Sequence, residues 1–320
     1  MSIIILLFIL ILAAFLSLFL GTFPISPVEI IYTIIGKNVP DTYRTVIYDI
    51  RLPRVLFAVA VGSGLSVAGA SYQSIFKNPL VSPYILGVSS GAAFGAALAI
   101  LLHQNVYVMQ TFAFFFGILA TLLAYFLAKE KGRVPVLSLV IAGVIVNSFF
   151  QALVGMAKYF ADTQNQLPSI VFWIMGSFSG VDWDNVSVLI VILVGIGVMY
   201  AIRWYLNIMS MDDEEAKSLG VDVDKFRKVI IVVSTLITAS AVSVVGIIGW
   251  VGLIIPHVSR LIVGPDNVKV IPVSILLGGL FLLIADDLAR TITTGEIPIG
   301  ILTSLVGAPF FAYLYHLQRR

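Results

Sequence analysis

Long apolar runs follow one another through most of the chain, broken by short polar stretches, and this succession constrains the fold more than any motif does. A helix needs roughly 20 apolar residues to cross a hydrocarbon core about 30 Å thick. Inside a bilayer only helices and closed barrels satisfy their own backbone hydrogen bonds. Continuous apolarity, without the alternation of a strand, selects helices. Of the 320 residues, 59% are hydrophobic and 11% charged, against about 25% charged in an ordinary soluble domain. The chain therefore reads as an all-α polytopic membrane protein with about ten transmembrane helices in one domain. No length remains for a soluble catalytic domain. A formal charge of +2 leaves no electrostatic footprint for nucleic acid. With no cysteine, disulfides, thiolate metal sites and cysteine nucleophiles are excluded.

The spans are expected at 3–20, 52–74, 84–103, 107–128, 135–157, 185–205, 229–245, 250–264, 270–290 and 297–317. No Lys or Arg precedes the first run and no clear small-x-small site follows it, which fits a retained span better than a signal peptide. Residues 21–48, with Pro24, Pro27 and Pro40, read as a mixed loop. The thirteen residues 168–180 are too short to cross and suit a re-entrant or interfacial helix. From Val229 to Val263 the apolar sequence is too long for one span, and Gly246, Gly249 and Gly252 supply a turn. Two columns of small residues recur at i,i+4: Ala58, Gly62, Ser66, Ala70 and Ser74, then Gly87, Gly91, Gly95 and Ala99. Such columns let helix backbones approach closely in lipid.

The longest stretch in water is 203–228, which carries eleven of the thirty-six charged residues. Its middle reads as a short helix with acidic residues at its start, Lys217 in its last turn and Gly220 at its end. Ser210 and Asp213 stand at capping-box spacing, and Asp222 is placed to cap the following span. This segment is either a solvated connection or a docking element for a partner. With it in the cytoplasm, thirteen of the nineteen Lys and Arg fall inside, which puts both termini there too. Arg51, Arg54 and Arg290 then lie outside, against the trend. They either bind lipid phosphates or pair locally, as Arg290 can with Asp286 at i,i+4.

Asn147, Ser148 and Gln151 give the fifth span a polar side, serving either hydrogen bonds between helices or the lining of a passage. Gly87-Val88-Ser89-Ser90-Gly91 matches G-x-S-x-G but lacks the strand and triad histidine of a nucleophile elbow. No P-loop motif occurs, and His103, His257 and His316 are scattered, so neither nucleotide binding nor a metal site is expected. Charges deep in spans are nearly absent, which weighs against an ion-coupled secondary transporter, the rival reading. Loss of a hydrolytic activity on Ser89→Ala would be needed to support a serine hydrolase.

The run RLPRVLFAVAVGSGLSVAGASYQSIFKNPLVSPYILGVSSGAAFG (51–95) resembles the signature of FecCD-type permeases. These are membrane subunits of ATP-binding-cassette importers for iron-siderophores, haem and cobalamin. The likeness continues through EEAKSLGVDVDKFRK (214–228), GIIGWVGLIIPHVSRLIVGPD (246–266), LLIADDLAR (282–290) and EIPIGILTSLVGAPFFAYLY (296–315). It departs at Asp287, where the family usually has an uncharged residue. The resemblance implies ten helices, with spans 2–5 and 7–10 related by an inverted repeat, paired with a second copy or a paralogue. It implies a cytoplasmic coupling loop at 206–228 on which two ATPases dock, through Asp212, Asp213, Glu214, Glu215, Ala216, Lys217, Leu219, Gly220 and Val221. ATP and magnesium would be bound by those partners, with no cofactor and no catalytic residue on this chain. An external binding protein would dock on Arg51, Arg54 and Arg290. Asn147, Ser148, Gln151, Thr303 and Ser304 would line the passage in the cell membrane.

Overall fold

The computed structural model describes residues 3–131, 133–293 and 295–317. Its helices are α1 (Ile3–Ser17), α2 (Pro27–Ile34), α3 (Asp41–Arg44), α4 (Leu52–Ile75), α5 (Val88–Leu101), α6 (Val106–Leu127), α7 (Val136–Phe160) and α8 (Gln166–Met175). They continue with α9 (Val186–Ala201), α10 (Arg203–Met209), α11 (Asp213–Ser218), α12 (Val223–Val245), α13 (Val251–Val263), α14 (Asn267–Thr291) and α15 (Ile299–Leu317). No strand occurs among the described residues, whose only β feature is an isolated bridge between Glu130 and Arg133.

Helix α4 is the shaft of the bundle, with 21 of its 24 residues buried. It packs against α14, α12, α13 and α9, while α6, α7 and α15 stand at the periphery. The small residues at its contacts explain how α4 can be buried on all sides. A Cβ added at Gly62 would lie 2.2 Å from the Gly278 carbonyl oxygen, and one at Gly69 would lie 1.8 Å from that of Gly252. Backbone therefore meets backbone at both crossings. The second expected column behaves alike, because a Cβ at Gly91 or Gly95 would fall 2.3 Å from the carbonyl oxygen of Phe116 or Phe112 on α6.

Among the described residues six helical stretches are long and apolar enough to span, while α1, α5, α13 and α15 are shorter than their expected spans. Helix α5, at 14 residues, rises only about 21 Å. A buried non-helical segment carrying Val81 and Leu86 precedes it. Helix α13 has 13 residues and follows the break 246–250, which holds the buried Ile248. Non-helical backbone at membrane depth must be satisfied by protein. Here Tyr84 Oη donates to Ile248 O at 2.6 Å and Ser177 N donates to Val245 O at 2.9 Å. The order long, short, long thus occurs twice, in α4–α6 and in α12–α14, followed by α7 and by α15. The first set starts from the side of Arg54 and the second from the side of α11.

Residues 21–48 are not a plain loop. Ser26 and Glu29 form a capping box, with Pro27 in the first turn of α2, and Pro40 stands at the start of α3. A π-helical turn, Thr45–Arg51, then joins α3 to α4 as one helix over Asp41–Ile75. The short helix expected at 168–180 is α8, displaced to Gln166–Met175 and ended by Gly176 at φ 75°.

Candidate functional sites

On one face, α11 forms an elbow between α10 and α12. Asp212 takes the N-cap position in extended backbone without a side-chain capping bond, and Ser210 Oγ donates to Leu206 O instead. The expected box between Ser210 and Asp213 is therefore not formed. Asp213 has turned inward, accepting from Arg227 Nη2 at 2.9 Å and from Lys77 Nζ at 3.2 Å. Arg227 is 3% exposed and its Nη1 donates to Val134 O at 3.1 Å. Burial works against charge on the Asp213 carboxyl, but Arg227 and then Lys77 outweigh it and hold the group below the ordinary carboxylate range. Gly220 ends the elbow at φ 78°, and Asp222 caps α12 by accepting from Lys225 N, both as the sequence leads one to expect.

Of the nine residues assigned to coupling, Ala216 is buried at 1% exposed, and Asp213 is committed to Lys77 and Arg227 with its side chain 41% exposed. Asp212, Glu214, Glu215, Lys217, Leu219 and Gly220 face out, and Val221 is half-buried. Leu219 is 60% exposed at the tip. An acidic rim around an exposed leucine, on a mount fixed to α4 and α12, suits contact with another protein.

At the opposite end of α4 the three arginines gather into one cluster. Arg54 donates to Asp286 from Nη2 at 2.8 Å and from Nε at 3.0 Å, and to Glu296 from Nη1 at 2.6 Å. Arg290 Nε lies 3.6 Å from Asp286 Oδ2, and Nη2 donates to Asp287, Ser17 Oγ and the Ser17 carbonyl. Arg51 donates to the carbonyls of Leu18 at 2.8 Å and Phe23 at 2.7 Å. The three arginines assigned to an outside partner are thus all bonded within the chain. Arg51, Arg54 and Arg290 are buried and bonded to the end of α1 and the segment after it, to α14 and to the loop before α15, while Arg290 Nε makes no hydrogen bond among the described residues. Local pairing of Arg290 with Asp286 is what forms. Asp287, the departure from the family pattern, accepts from Ser17 Oγ at 2.6 Å and so ties α1 to α14. Glu296 escaped the sequence reading, since nothing local connects it with Arg54, 242 positions away.

The candidate passage residues divide. Asn147, Ser148 and Gln151 are exposed on α7, whose wide exposed side also carries Val144, Phe149 and Tyr159. Ser304 is exposed on α15 and donates to Gly300 O at 2.6 Å. Thr303 is corrected: it is fully buried, its hydroxyl donating to Gly300 O at 3.2 Å, and it faces the bundle. The α8 end is pinned to the start of α15 by Ile299 N donating to Gly176 O at 2.9 Å. A cavity of about 990 Å³ opens beside α8 between the α5–α6 turn and Gly246, lined by Gln110, Gln166, Ser169 and Trp173. Among the described residues no group of three or more His, Asp or Glu is placed to hold a metal.

The FecCD transport family model matches residues 9–316. The chain is 39% identical to the molybdate import system permease protein MolB of Haemophilus influenzae, covering 97% of this chain and 94% of that one. It is 41% identical to the cobalamin import system permease protein BtuC of Halobacterium salinarum, covering 87% and 75%. A solved structure described as an inward-facing conformation of a metal-chelate type ABC transporter superposes with a TM-score of 0.89 at 38% identity, over 98% of both chains. The match spans both faces of the bundle, from α1 to α15, and the chain belongs to the FecCD transport family, as a membrane permease of the ATP-binding-cassette import type.

Proposed function

We propose that this permease pairs with a second copy or a close paralogue and carries a metal chelate delivered by an external binding protein. Two cytoplasmic ATPases drive it from the α11 side, where both termini also lie. The elbow carries this reading: an outward acidic rim with Leu219 at its tip, mounted through Asp213 on Lys77 and Arg227. The permease holds neither nucleotide nor catalytic residue; ATP and magnesium belong to the ATPases. The exposed apolar sides of α7 and α15, including Phe149, Leu305 and Val306, are covered by the second permease. Asn147, Ser148, Gln151 and Ser304 give the passage a neutral polar lining that holds a bulky chelate weakly.

On the outer face, an acidic residue of the binding protein reaches Arg54 by replacing Glu296, whose side chain is 29% exposed. Arg51 and Arg290 hold the loop and α1 around that position. A molybdate-type oxyanion is the second reading of the cargo, favoured by the likeness to MolB.

The test is reconstitution in vesicles with and without the ATPase. Uptake should require ATP and the ATPase, and Leu219→Arg should abolish ATPase co-purification while the bundle stays folded. Uptake driven by an ion gradient without ATPase would sink this reading in favour of a secondary transporter.

A further inference from the structure

Helices α6 and α12 leave a crevice of about 360 Å³ between them at the α11 side. Its walls are apolar: Ile118, Leu122 and Phe126 on α6, and Ile231, Val232 and Leu236 on α12. The two threonine hydroxyls in the walls have partners within the bundle. Thr121 donates to Gly117 O at 3.5 Å, and Thr235 lies 3.4 Å from Tyr72 Oη. Two lysines close the rim. Lys129 follows the last turn of α6, and Lys228 lies in the second turn of α12; both line the crevice and both are exposed. Each tops a column at helical spacing: Tyr125 and Lys129 on α6, and Lys228, Val232 and Leu236 on α12.

No carboxylate lines this crevice. The neighbouring ones face elsewhere, Glu130 accepting from Ser138 Oγ and Asp224 lying 3.8 Å from Arg227. Among the described residues neither Lys129 nor Lys228 is in an ion pair, although Lys77, Arg54, Arg227 and Arg290 all are. Two free ammonium groups above an apolar slot match the two parts of an anionic lipid, a charged headgroup and an acyl chain. Phe126, 64% exposed, opens the outer wall toward the bilayer.

We propose that the α6–α12 crevice is a binding site for an anionic phospholipid of the leaflet on the α11 side. One acyl chain lies in the slot, and the phosphate bridges Lys129 and Lys228 with the Tyr125 hydroxyl beside it. Because α12 also carries Arg227, which holds the elbow, the bound lipid braces the helix on which the elbow is mounted.

Native mass spectrometry of the full-length permease, titrated with phosphatidylglycerol and with phosphatidylcholine of equal chain length, tests this. With roughly 1 kcal/mol for each basic residue at a membrane surface, removing both lysines corresponds to about 2 kcal/mol. K129Q/K228Q should then retain phosphatidylglycerol about thirty-fold less well. Val232→Trp, which fills the slot and leaves both charges in place, should also weaken retention. K225Q/K269Q, which removes two exposed lysines from the same side, should bind like the parent. Equal retention by K129Q/K228Q and K225Q/K269Q would overturn the proposal. So would equal binding of phosphatidylcholine, or displacement of the lipid by inorganic phosphate at the same concentration.

Discussion

Asp286 is the residue whose removal the structure predicts most sharply. Its side chain is fully buried, it accepts two hydrogen bonds from Arg54, and it faces Arg290 at 3.6 Å. Together with Asp287 and Glu296 it balances Arg51, Arg54 and Arg290, three carboxylates against three cations. Asp286→Asn keeps the shape but leaves the cluster with an uncompensated buried charge. Breaking a buried pair from one side costs about 3–5 kcal/mol, because the remaining ion has already lost its water. Glu296→Gln removes a carboxylate whose side chain is 29% exposed, and partly solvated pairs of that kind are worth up to about 1 kcal/mol. The two variants should differ by at least about 2 kcal/mol, a factor of roughly thirty in the unfolding equilibrium.

Unfolding of the purified permease by a denaturing detergent in mixed micelles, followed by helical circular dichroism, measures both. D286N should unfold far earlier than E296Q, and E296Q should stay near the parent. Replacing both partners, Asp286→Leu with Arg54→Met, should recover most of the loss, since an apolar pair avoids the desolvation that the ions incur. If D286N and E296Q unfold together, Asp286 does not anchor the cluster and the burial argument fails.

Gly69→Ala places a methyl 1.8 Å from the Gly252 carbonyl oxygen, where only backbone can give way. It should cost at least about 1–3 kcal/mol, whereas Gly197→Ala, which meets nothing within 4 Å, should be neutral in the same detergent melt. Gly220→Val forces a β-branched residue to φ 78° in open space. That costs roughly 1–2 kcal/mol and should weaken ATPase co-purification; undiminished co-purification would show that the elbow's end is not read. The Asp213 carboxyl is held below its ordinary value of about 3.9. Its contribution is therefore complete above that value and lost only as pH falls through the lower folded value. Carbon NMR of that carboxyl in micelles should place its midpoint below 3.9, and a midpoint above it would contradict the pairing with Arg227 and Lys77.

Much of the architecture was legible in the sequence because lipid imposes a simple grammar. Length and apolarity marked the runs that hold α4 to α9 and α12 to α15, though not α10, which straddles the end of the sixth expected span, and the columns through Gly62 and Gly91 marked where backbones touch. Gly220 and Asp222 were readable because a positive φ and an N-cap are local requirements. The N-terminal segment was misread for the opposite reason. Pro27 and Pro40 look like loop signals, yet a proline in the first helical turn costs no hydrogen bond and favours a helix start. The cluster around the arginines was not legible, because sequence gives their place in a span but not their neighbours. Asp286 and Glu296 reach Arg54 from 232 and 242 positions away, and only the packing of α4 on α14 brings them together. Thr303 shows the limit of choosing a helix face from composition. Adjacent to Ser304, it points about 100° away from it on a helix of 3.6 residues per turn, and one of the pair faces in while the other faces out.

The contacts of α4 also settle which parts of the bundle can move against one another. At Gly62–Gly278 and Gly69–Gly252 there is no space for even a methyl group. Sliding α4 by about one turn, roughly 5.4 Å, would bring Ala58 or Ser66 to the Gly278 backbone and Leu65 or Gln73 to that of Gly252, where there is no gap for a side chain. Arg54 clamps the same helix to α14 at one end, and Lys77 ties it to the elbow at the other. Helices α4, α13 and α14 therefore behave as one body, and a displacement at α11 is carried along α4 rather than absorbed within it. Helix α15 is held differently. It touches α14, α13 and α8 only lightly, and its Gly307 sits against Trp250, a non-glycine residue at φ 70° in the break before α13. Together with α7, whose outer side has no partner within the chain, α15 is where the bundle can yield. The polar groups assigned to the passage, Asn147, Gln151 and Ser304, stand on these two helices, so the part of the molecule free to rearrange is the part that would face the cargo.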